Sequence, residues 1–174
     1  AAVMANRISS NMTLNWSRPK AASNRQIDGI WAGSSTCNGN QYANLTSFED
    51  SLTVLKAIKE KGLSTAILSN GSREMLATVV EKNGLGPYLD KVLTIEDVRL
   101  FKTAPQSYEL LLKAFSVKKE EILFVSSNSW DALGAKWYGF DVFWVNRLGH
   151  PFEEIGEKPN YEGASLTKIL EVIE

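Results

Sequence analysis

The chain has 174 residues, of which 44% are hydrophobic, and a net charge of −1, so it can form one globular domain with a buried core and is not disordered throughout. Lysine and arginine are spread along it, and no apolar run approaches the roughly 18 residues of a spanning helix, so neither a nucleic-acid nor a membrane partner is expected. The single cysteine, Cys37, excludes an intramolecular disulfide and cannot form a zinc cluster with the only histidine, His150, which favours a reducing, cytoplasmic location.

The first 44 residues differ in composition from the rest. They are rich in serine, asparagine and glycine, and Asp28 is the sole acid before Glu49. Such a segment favours loop or disorder, although "NMTLNW" alternates apolar and polar residues as a half-buried strand does. The pattern becomes regular afterwards, which predicts an atypical polar N-terminal segment over residues 1–44 and a core domain over residues 45–174.

Helices and strands alternate along this core. The first predicted helix, "SFEDSLTVLKAIKEKG", has Ser47 as its N-cap, places Leu52, Leu55 and Ile58 at helical spacing and ends at Gly62. Four short apolar strands follow, "LSTAIL", "KVLTI", "EILFV" and "DVFWV". The helices predicted between and after them are "REMLATVVEKNG", "PQSYELLLKAF", "WDALGAKWYG" and "SLTKILEVIE". This alternation is typical of an α/β fold in which helices cover both faces of a parallel sheet.

Two of the predicted strands end on clusters of small polar residues. "AILSNGS" supplies Ser69 and Asn70, and "ILFVSSNSWD" supplies Ser126 and Asn128. Because the carboxyl ends of parallel strands meet at one edge of a sheet, both clusters are expected to face a common crevice.

Two charged residues are expected at the same edge. Lys102 lies in the loop after the second strand, and Asp131 begins the helix after the third. One cation, one acid and several neutral donors are therefore predicted to converge on a small anionic ligand, with helix N-termini adding oriented N–H groups.

Each of these residues also has a simpler interpretation. The serines and asparagines are typical turn formers and helix caps. Lys102 can be a solvated surface charge, and Asp131 a first-turn acid that favours the helix dipole. Tyr108 and Trp130 can be packing residues, and His150 is expected to be an ordinary loop residue. Only the joint placement of the polar residues at strand ends favours a binding site.

One segment, "FVSSNSWDALGAKWYGF", is far more specific than a general phosphatase-like motif. Further segments of the same kind are "AILSNGS", "VRLFK", "SYELLLKAF" and "WVNRLGHPFEEIGEKPNYEGASLTKILEVIE". With these segments the chain resembles, from about residue 41 to residue 174, the type II (S)-2-haloacid dehalogenases of the haloacid dehalogenase superfamily. The resemblance implies a Rossmann-like three-layer core and a hydrolase that acts on carbon–halide bonds of small 2-haloalkanoates.

The resemblance also implies a mechanism. In that family an aspartate attacks C2 of an (S)-2-haloalkanoate and expels halide with inversion, and water then hydrolyses the ester to the 2-hydroxy acid. By this likeness Lys102 orients the nucleophilic carboxylate, and Ser126 and Asn128 position the water and the nucleophile. Asp131 pairs with Lys102 and helps to activate the water.

The same likeness assigns the substrate contacts. Ser69 and Asn70 hold the substrate or its carboxylate at the end of their strand. Tyr108 supports the site, and Trp130 supplies an apolar wall near the substrate.

The cluster "VSSNSWD" argues against a metal. A magnesium-dependent phosphotransfer site needs several carboxylates around the hard cation, and this cluster offers serines and an asparagine in their place. A halide that leaves carbon develops less charge than a transferred phosphoryl group, so donors and one cation suffice. We therefore expect no metal and no other cofactor.

The N-terminal part departs from the family. The family's nucleophile follows an apolar strand in a pattern like D-x-Y-G-T, which this chain lacks, and Asp28 has neither a preceding strand nor the Tyr-Gly-Thr. The helical cap domain likewise has no counterpart of adequate length. The nucleophile is left unknown. Either "RISSNMTLNW" fills the place of the nucleophile strand in the sheet, or the domain is incomplete and the neighbouring strands keep open edges.

Two alternatives to an active enzyme follow from this departure. One is a non-catalytic descendant that binds small carboxylates through Lys102, Ser69 and Asn70. The other is an incomplete fragment that associates with another chain through its open sheet edge. A homodimer is compatible with each of these interpretations.

Overall fold

The computed structural model describes the backbone of residues 3–5 and, with side chains, residues 45–173. Over the second range helices and strands alternate, as the hydrophobic pattern predicts. In chain order the elements are β1 (Val3–Ala5), α1 (Glu49–Glu60), β2 (Ala66–Ser69), α2 (Arg73–Lys82), β3 (Lys91–Thr94), α3 (Pro105–Phe115), β4 (Leu123–Ser126), α4 (Ser129–Tyr138), β5 (Asp141–Val145) and β6 (Tyr161–Gly163). A 3₁₀ helix over Leu166–Glu171 follows β6.

The strands form two hydrogen-bonded groups. β2 pairs in parallel with β3, and β4 pairs in parallel with β5, which pairs in parallel with β6. The pairing of Ser69 with Thr94 and of Ser126 with Trp144 brings the carboxyl ends of these strands into register. The predicted α/β fold with parallel pairing is confirmed for these strands.

β1 is an exception to the parallel arrangement. It runs antiparallel to β4, with Val3 opposite Val125 and Ala5 opposite Leu123, and it also lies against β2. The parallel pairing predicted for the sheet therefore does not extend to β1, a three-residue strand within the segment 1–44, for which loop or disorder was expected. "RISSNMTLNW" and Asp28 lie outside the described residues, and the division of the chain at residue 44 stays a prediction.

Two hydrophobic clusters cover opposite faces of the sheet. Alternate residues of β4 point to opposite faces, so Leu123 and Val125 pack in one cluster and Phe124 in the other. The first cluster contains the apolar side of α1 and the 3₁₀ helix, and the second contains residues of α3 and α4. This is the three-layer arrangement that the sequence predicts.

The helix boundaries follow local chemistry with one correction. α1 begins after Phe48 as its N-cap, and Ser47, the predicted cap, instead donates its backbone N–H to Asn83 Oδ1 at 2.8 Å. α2 has a serine cap, since Ser72 Oγ accepts the N–H of Met75. Within residues 45–173, α1 is the longest helix at 12 residues, and no described helix is long and apolar enough to cross a membrane.

The C-terminal region differs from prediction in two ways. "SLTKILEVIE" is not an α-helix in the described chain but a 3₁₀ helix, because its residues close i→i+3 bonds such as Val172 N–H to the Ile169 carbonyl. β6 was not predicted, because a three-residue strand with glycine at its end has no hydrophobic alternation.

Asp90 joins the amino ends of β2 and β3, at the edge opposite to the polar clusters. Its Oδ2 accepts the backbone N–H of Thr65 at 2.6 Å, its own N–H donates to the Thr65 carbonyl at 2.7 Å, and Lys59 Nζ donates to its Oδ1. Burial acts to raise the pKa of Asp90, but the hydrogen bonds from Lys59 and Thr65 outweigh burial and hold the pKa below its usual range.

We expect Asp90→Asn to lower the free energy of unfolding at pH 7 by about 1 kcal/mol, because a hydrogen-bonded carboxylate is lost. A carboxyl group whose pKa is lowered by folding stabilises the protein above its unfolded pKa of about 3.9, and this contribution disappears as the pH falls through the folded pKa. Urea unfolding measured from pH 7 to pH 3 should therefore show that the difference in the free energy of unfolding between the native protein and the variant decreases as the pH falls. Asp97→Asn, in an exposed pair with Arg73, is the control, and a difference independent of pH would contradict the expectation.

Candidate active site

The polar residues predicted at the carboxyl ends of β2 and β4 meet around one buried lysine. Lys102 Nζ donates to Asp131 Oδ2 at 2.7 Å and to the carbonyl of Leu68 at 3.2 Å. Leu68 belongs to β2, and Asp131 lies in the helix that follows β4. The ammonium group therefore bridges the two strand ends, and the side chain is only 1% exposed.

The loop that carries Lys102 is fixed by two further hydrogen bonds. The backbone N–H of Lys102 donates to Asn70 Oδ1 at 3.0 Å, and the buried hydroxyl of Ser107 donates to the carbonyl of Leu100. Lys102 Nζ also lies 5.5 Å from the centre of the Phe124 ring, which adds a cation–π contact. The interpretation of Lys102 as a solvated surface charge is therefore wrong.

Asp131 accepts hydrogen bonds on both of its carboxylate oxygens. Lys102 Nζ and Ser126 Oγ donate to Oδ2, the latter at 3.0 Å, and the Tyr108 hydroxyl donates to Oδ1 at 3.1 Å. The side chain is completely buried. A carboxylate held by three donors is oriented and neutralised, and its lone pairs are poorly available for attack on carbon.

Tyr108 is a neutral donor in this network. Burial, and then the negative charge of Asp131, raise the pKa of Tyr108 well above its ordinary value. Its ring packs edge-on against Phe124 and Phe140 and is fully buried. Tyr108 thus serves both as a packing residue and as a hydrogen-bond donor to Asp131.

The small polar residues make turns at the strand ends. Ser69 Oγ accepts the N–H of Gly71 at 3.0 Å, and Ser126 Oγ accepts the N–H of Asn128 at 3.2 Å. Asn70 uses its carbonyl oxygen for the N–H of Lys102, which leaves its NH₂ group as the donor that can meet a ligand. Asn128 is the N-cap residue of α4, but its side chain makes no capping bond.

Contacts next to Trp130 join the first turn of α4 to the segment after β5. Trp130 is 44% exposed at the start of α4, beside Asp131. Its neighbour Ser129 donates to Glu153 Oε1 at 2.8 Å, and Phe152 packs edge-on against Trp144. The segment after β5 is thereby attached to the first turn of α4, a contact between distant residues for which the sequence carries no signal.

A second charged cluster fastens the start of α1 to the end of β5. One terminal nitrogen of Arg147, Nη2, donates to both oxygens of Asp50 at 2.8 and 2.9 Å, and the guanidinium lies 3.8 Å from the centre of the Phe48 ring. Asp50 also accepts the N–H of Leu166 at 2.9 Å. His150 lies in the exposed loop after this point, where its N–H donates to Asn146 Oδ1, as expected of a loop residue.

Comparisons with known proteins point to one family. The profile of the haloacid dehalogenase-like hydrolases matches residues 24–139, more than half of the chain. The chain is 41% identical over 133 residues to an (S)-2-haloacid dehalogenase of Pseudomonas sp. (strain YL), covering 76% of this chain and 57% of that protein. It is 38% identical to haloacetate dehalogenase H-2 of Moraxella sp. (strain B), covering 76% and 59%.

Solved structures agree. A crystal structure of an L-2-haloacid dehalogenase superimposes with a TM-score of 0.75 at 45% identity, covering 77% of this chain and 59% of that one. The L-2-haloacid dehalogenase of Xanthobacter autotrophicus with chloropropionic acid covalently bound superimposes with a TM-score of 0.73 at 31% identity, covering 76% and 63%. The chain spans less than two thirds of the length of these relatives.

The resemblance seen in "FVSSNSWDALGAKWYGF" is thus confirmed by sequence and by structure. The predicted Rossmann-like core is confirmed by the same superpositions. The chain belongs to the haloacid dehalogenase-like hydrolases.

Proposed function

We propose that this chain carries the core of a site for the hydrolytic dehalogenation of small (S)-2-haloalkanoic acids to 2-hydroxy acids. The observation that supports the proposal most directly is the buried network of Lys102, Asp131, Ser126 and Tyr108 at the carboxyl ends of β2 and β4. Named relatives at 38–41% identity act as dehalogenases, which supports the same reaction class.

Lys102 is the electrostatic centre of the first step. An ammonium group has three N–H donors, and Asp131 and Leu68 take two of those of Lys102. The remaining donor can orient a nucleophilic carboxylate, whose oxygen attacks C2 while the carbon–halogen bond breaks and halide leaves with the bonding electrons. A fixed cation in a water-poor site stabilises the charge that moves in this step.

The second step returns the enzyme to its starting state. Water attacks the carbonyl carbon of the aspartyl ester, the 2-hydroxy acid leaves, and the carboxylate is regenerated. Asn128 has a side chain that α4 does not use as a cap, so its amide can position this water. Ser126 and Asp131 lie beside it in the network and help to orient and activate the water.

The substrate contacts follow from the remaining residues. Ser69 and the NH₂ group of Asn70 are donors suited to the carboxylate or the departing halide. Trp130 offers an apolar surface at the same edge for the alkyl part of the substrate. Tyr108 supports the site through its hydrogen bond to Asp131.

The nucleophile is not identified. β1, which lies between β4 and β2, has the sequence Val-Met-Ala and carries no acid. Asp131 is held by three donors and suits an orienting role better than attack on carbon. The sequence of β1 favours a second candidate function, the binding of small carboxylates through Lys102, Ser69 and Asn70 without turnover.

We further propose that the reaction needs no divalent cation. Asp131 is the carboxylate of the network, and the ammonium of Lys102 already occupies the position from which a cation would neutralise it. Among residues 45–173 no group of three or more His, Cys, Asp or Glu side chains forms a metal site. A cytoplasmic location, favoured by the single cysteine, and a homodimer are part of the same proposal.

The first test is halide release from (S)-2-chloropropionate by the purified chain. We expect release from this enantiomer and not from the (R) form, and a loss of about 10²–10³-fold in Lys102→Met, because a charged group that acts on the transition state is removed. Lys113→Met, which removes an exposed lysine on the adjacent helix α3, should leave the rate unchanged. Addition of a chelator should also leave it unchanged.

No halide from a folded chain would overturn the dehalogenase proposal. Calorimetric titration with propionate and (S)-lactate would then separate the remaining candidates. Binding that weakens in Lys102→Met would support the carboxylate-binding function. If neither ligand binds and sedimentation shows that the chain self-associates as its concentration rises, the third candidate is favoured, in which the chain pairs with another chain through its sheet edge.

The buried ion pair of Lys102 and Asp131 is also expected to affect the free energy of unfolding. Lys102→Met should lower the free energy of unfolding by about 3–5 kcal/mol, because it leaves the Asp131 carboxylate buried without a cation. The double variant Lys102→Met/Asp131→Asn, which removes both charges and keeps similar shapes, should recover most of this loss. Guanidinium unfolding measures both, and a double variant less stable than the single one would contradict the expectation.

A further inference from the structure

Gly134 lies one helical turn after Asp131, in the buried part of α4. A glycine inside a helix costs about 1 kcal/mol relative to alanine. Its backbone has no positive φ of the kind that favours glycine, unlike Gly139 at the end of the same helix, with φ of 105°. Its lack of a side chain, and not its conformational freedom, is therefore the feature to explain.

A Cβ atom at position 134 would collide with two residues of the site. It would lie 2.5 Å from Thr103 Cγ2, 2.8 Å from Thr103 Cβ and 2.6 Å from the hydroxyl oxygen of Tyr108. Thr103 directly follows Lys102, and Tyr108 donates to Asp131. The two residues that this Cβ would strike are thus the chain neighbour of Lys102 and the hydrogen-bond donor to Asp131.

These neighbours have little room to retreat. The Tyr108 ring is fully buried between Phe124, Phe140 and Tyr138. The chain beside Thr103 is fixed by the bond from Lys102 N–H to Asn70 Oδ1. Closely packed interiors respond to an added methyl group by shifting backbone or forcing side chains off their rotamers.

We propose that Gly134 is a positioning residue of the site. Its missing side chain lets the Lys102 loop and α3 approach the backbone of α4, so that the Lys102 ammonium and the Tyr108 hydroxyl both reach Asp131. A side chain at this position separates α4 from the loop and lengthens the hydrogen bonds to Asp131. The structural part of this inference stands on the contacts alone, and its consequence for turnover rests on the proposed function.

The test measures how well burial protects the Lys102 ammonium from chemical modification. Acetylation of folded protein by a succinimidyl ester, followed by peptide mass spectrometry, measures how often the buried ammonium becomes accessible. We expect Gly134→Ala to raise the acetylation rate of Lys102 at least about tenfold, since overpacking destabilises the closed arrangement. Exposed Lys113 is the internal reference.

Gly86→Ala is the matched control variant. A Cβ at position 86 would meet only Val80 Cγ1, at 4.0 Å, and Gly86 likewise has no positive φ. It should leave the protection of Lys102 unchanged. A folded Gly134→Ala protein that protects Lys102 as well as the native protein does would overturn the proposal.

A variant with smaller side chains around position 134 distinguishes the effect of the steric contact from a general effect of Gly134→Ala on the helix. Thr103→Ser and Tyr108→Phe together remove the methyl group and the hydroxyl that a Cβ at position 134 would strike. Gly134→Ala introduced into this background should raise the acetylation rate of Lys102 less than about threefold, because two of the three close contacts are removed and only the one to the Cβ of residue 103, at 2.8 Å, remains. An equal increase in both backgrounds would overturn the proposal, as would failure of Gly134→Ala to fold in either one.

Turnover gives a separate outcome. If halide release is observed, Gly134→Ala should lower kcat more than it changes KM, because the orientation of Lys102 is disturbed while the substrate donors Ser69 and Asn70 stay in place. If no halide is released by the native chain, the proposed reaction fails, and the acetylation result still decides the role of Gly134.

Discussion

The buried pair of Lys102 and Asp131 holds together parts of the chain that do not share a hydrogen-bonded strand ladder. An ion pair inside a protein is stable only when its remaining donors and acceptors are also satisfied. Asp131 meets this condition through Ser126 and Tyr108, and Lys102 meets it in part through the carbonyl of Leu68. The hydrogen bond from Lys102 to the Leu68 carbonyl also satisfies a backbone acceptor of β2, so it ties the ion pair to the β2–β3 part of the sheet. The charge pair therefore contributes to the fold as well as to the site, and loss of either partner is expected to affect both.

The scaffold brings the pair together by simple means. β2 and β4 are four residues long, fully buried, and end on serine. The two hydrophobic clusters hold α1 against one face and α3 and α4 against the other, which leaves the carboxyl edge for polar groups. Because Ser69 and Ser126 satisfy backbone N–H groups two residues further on, the chain turns tightly there and places Asn70 and Asn128 at the start of the following segments.

Sequence reasoning succeeded where a signal is local. The strands around Leu68 and Val125 are continuous apolar runs, α3 has the predicted limits of Pro105 and Phe115, and the position of Lys102 after β3 follows from strand order. It failed where the decisive contact is distant. Ser47 is a good cap by type, yet its N–H is taken by Asn83, and the bond from Arg147 to Asp50 joins residues 97 positions apart.

Gly134 shows a related limit. The sequence gives no reason for a glycine in the middle of a helix that ends on another glycine. The reason lies in the tertiary structure, where α3 places the Tyr108 hydroxyl against the turn of α4 that contains Gly134. Likewise the resemblance implied that Asp131 pairs with Lys102. Neither the pattern nor the resemblance indicated that Tyr108 donates to the second carboxylate oxygen of Asp131, which makes that carboxylate less available as a nucleophile.

The direction of β1 decides which end of that strand lies near the carboxyl ends of the parallel strands, where Lys102 and Asp131 meet. In a parallel strand the residue that follows the last paired position emerges beside Ser126. In β1 the last paired position, Ala5, lies opposite Leu123, the first residue of β4, so the carboxyl end of β1 lies at the far end of the sheet from Lys102. The amino end of β1, where Val3 lies opposite Val125, is the end nearer the carboxyl end of β4. The antiparallel direction of this short strand thus places its amino end, and not its carboxyl end, on the side of the Lys102–Asp131 pair.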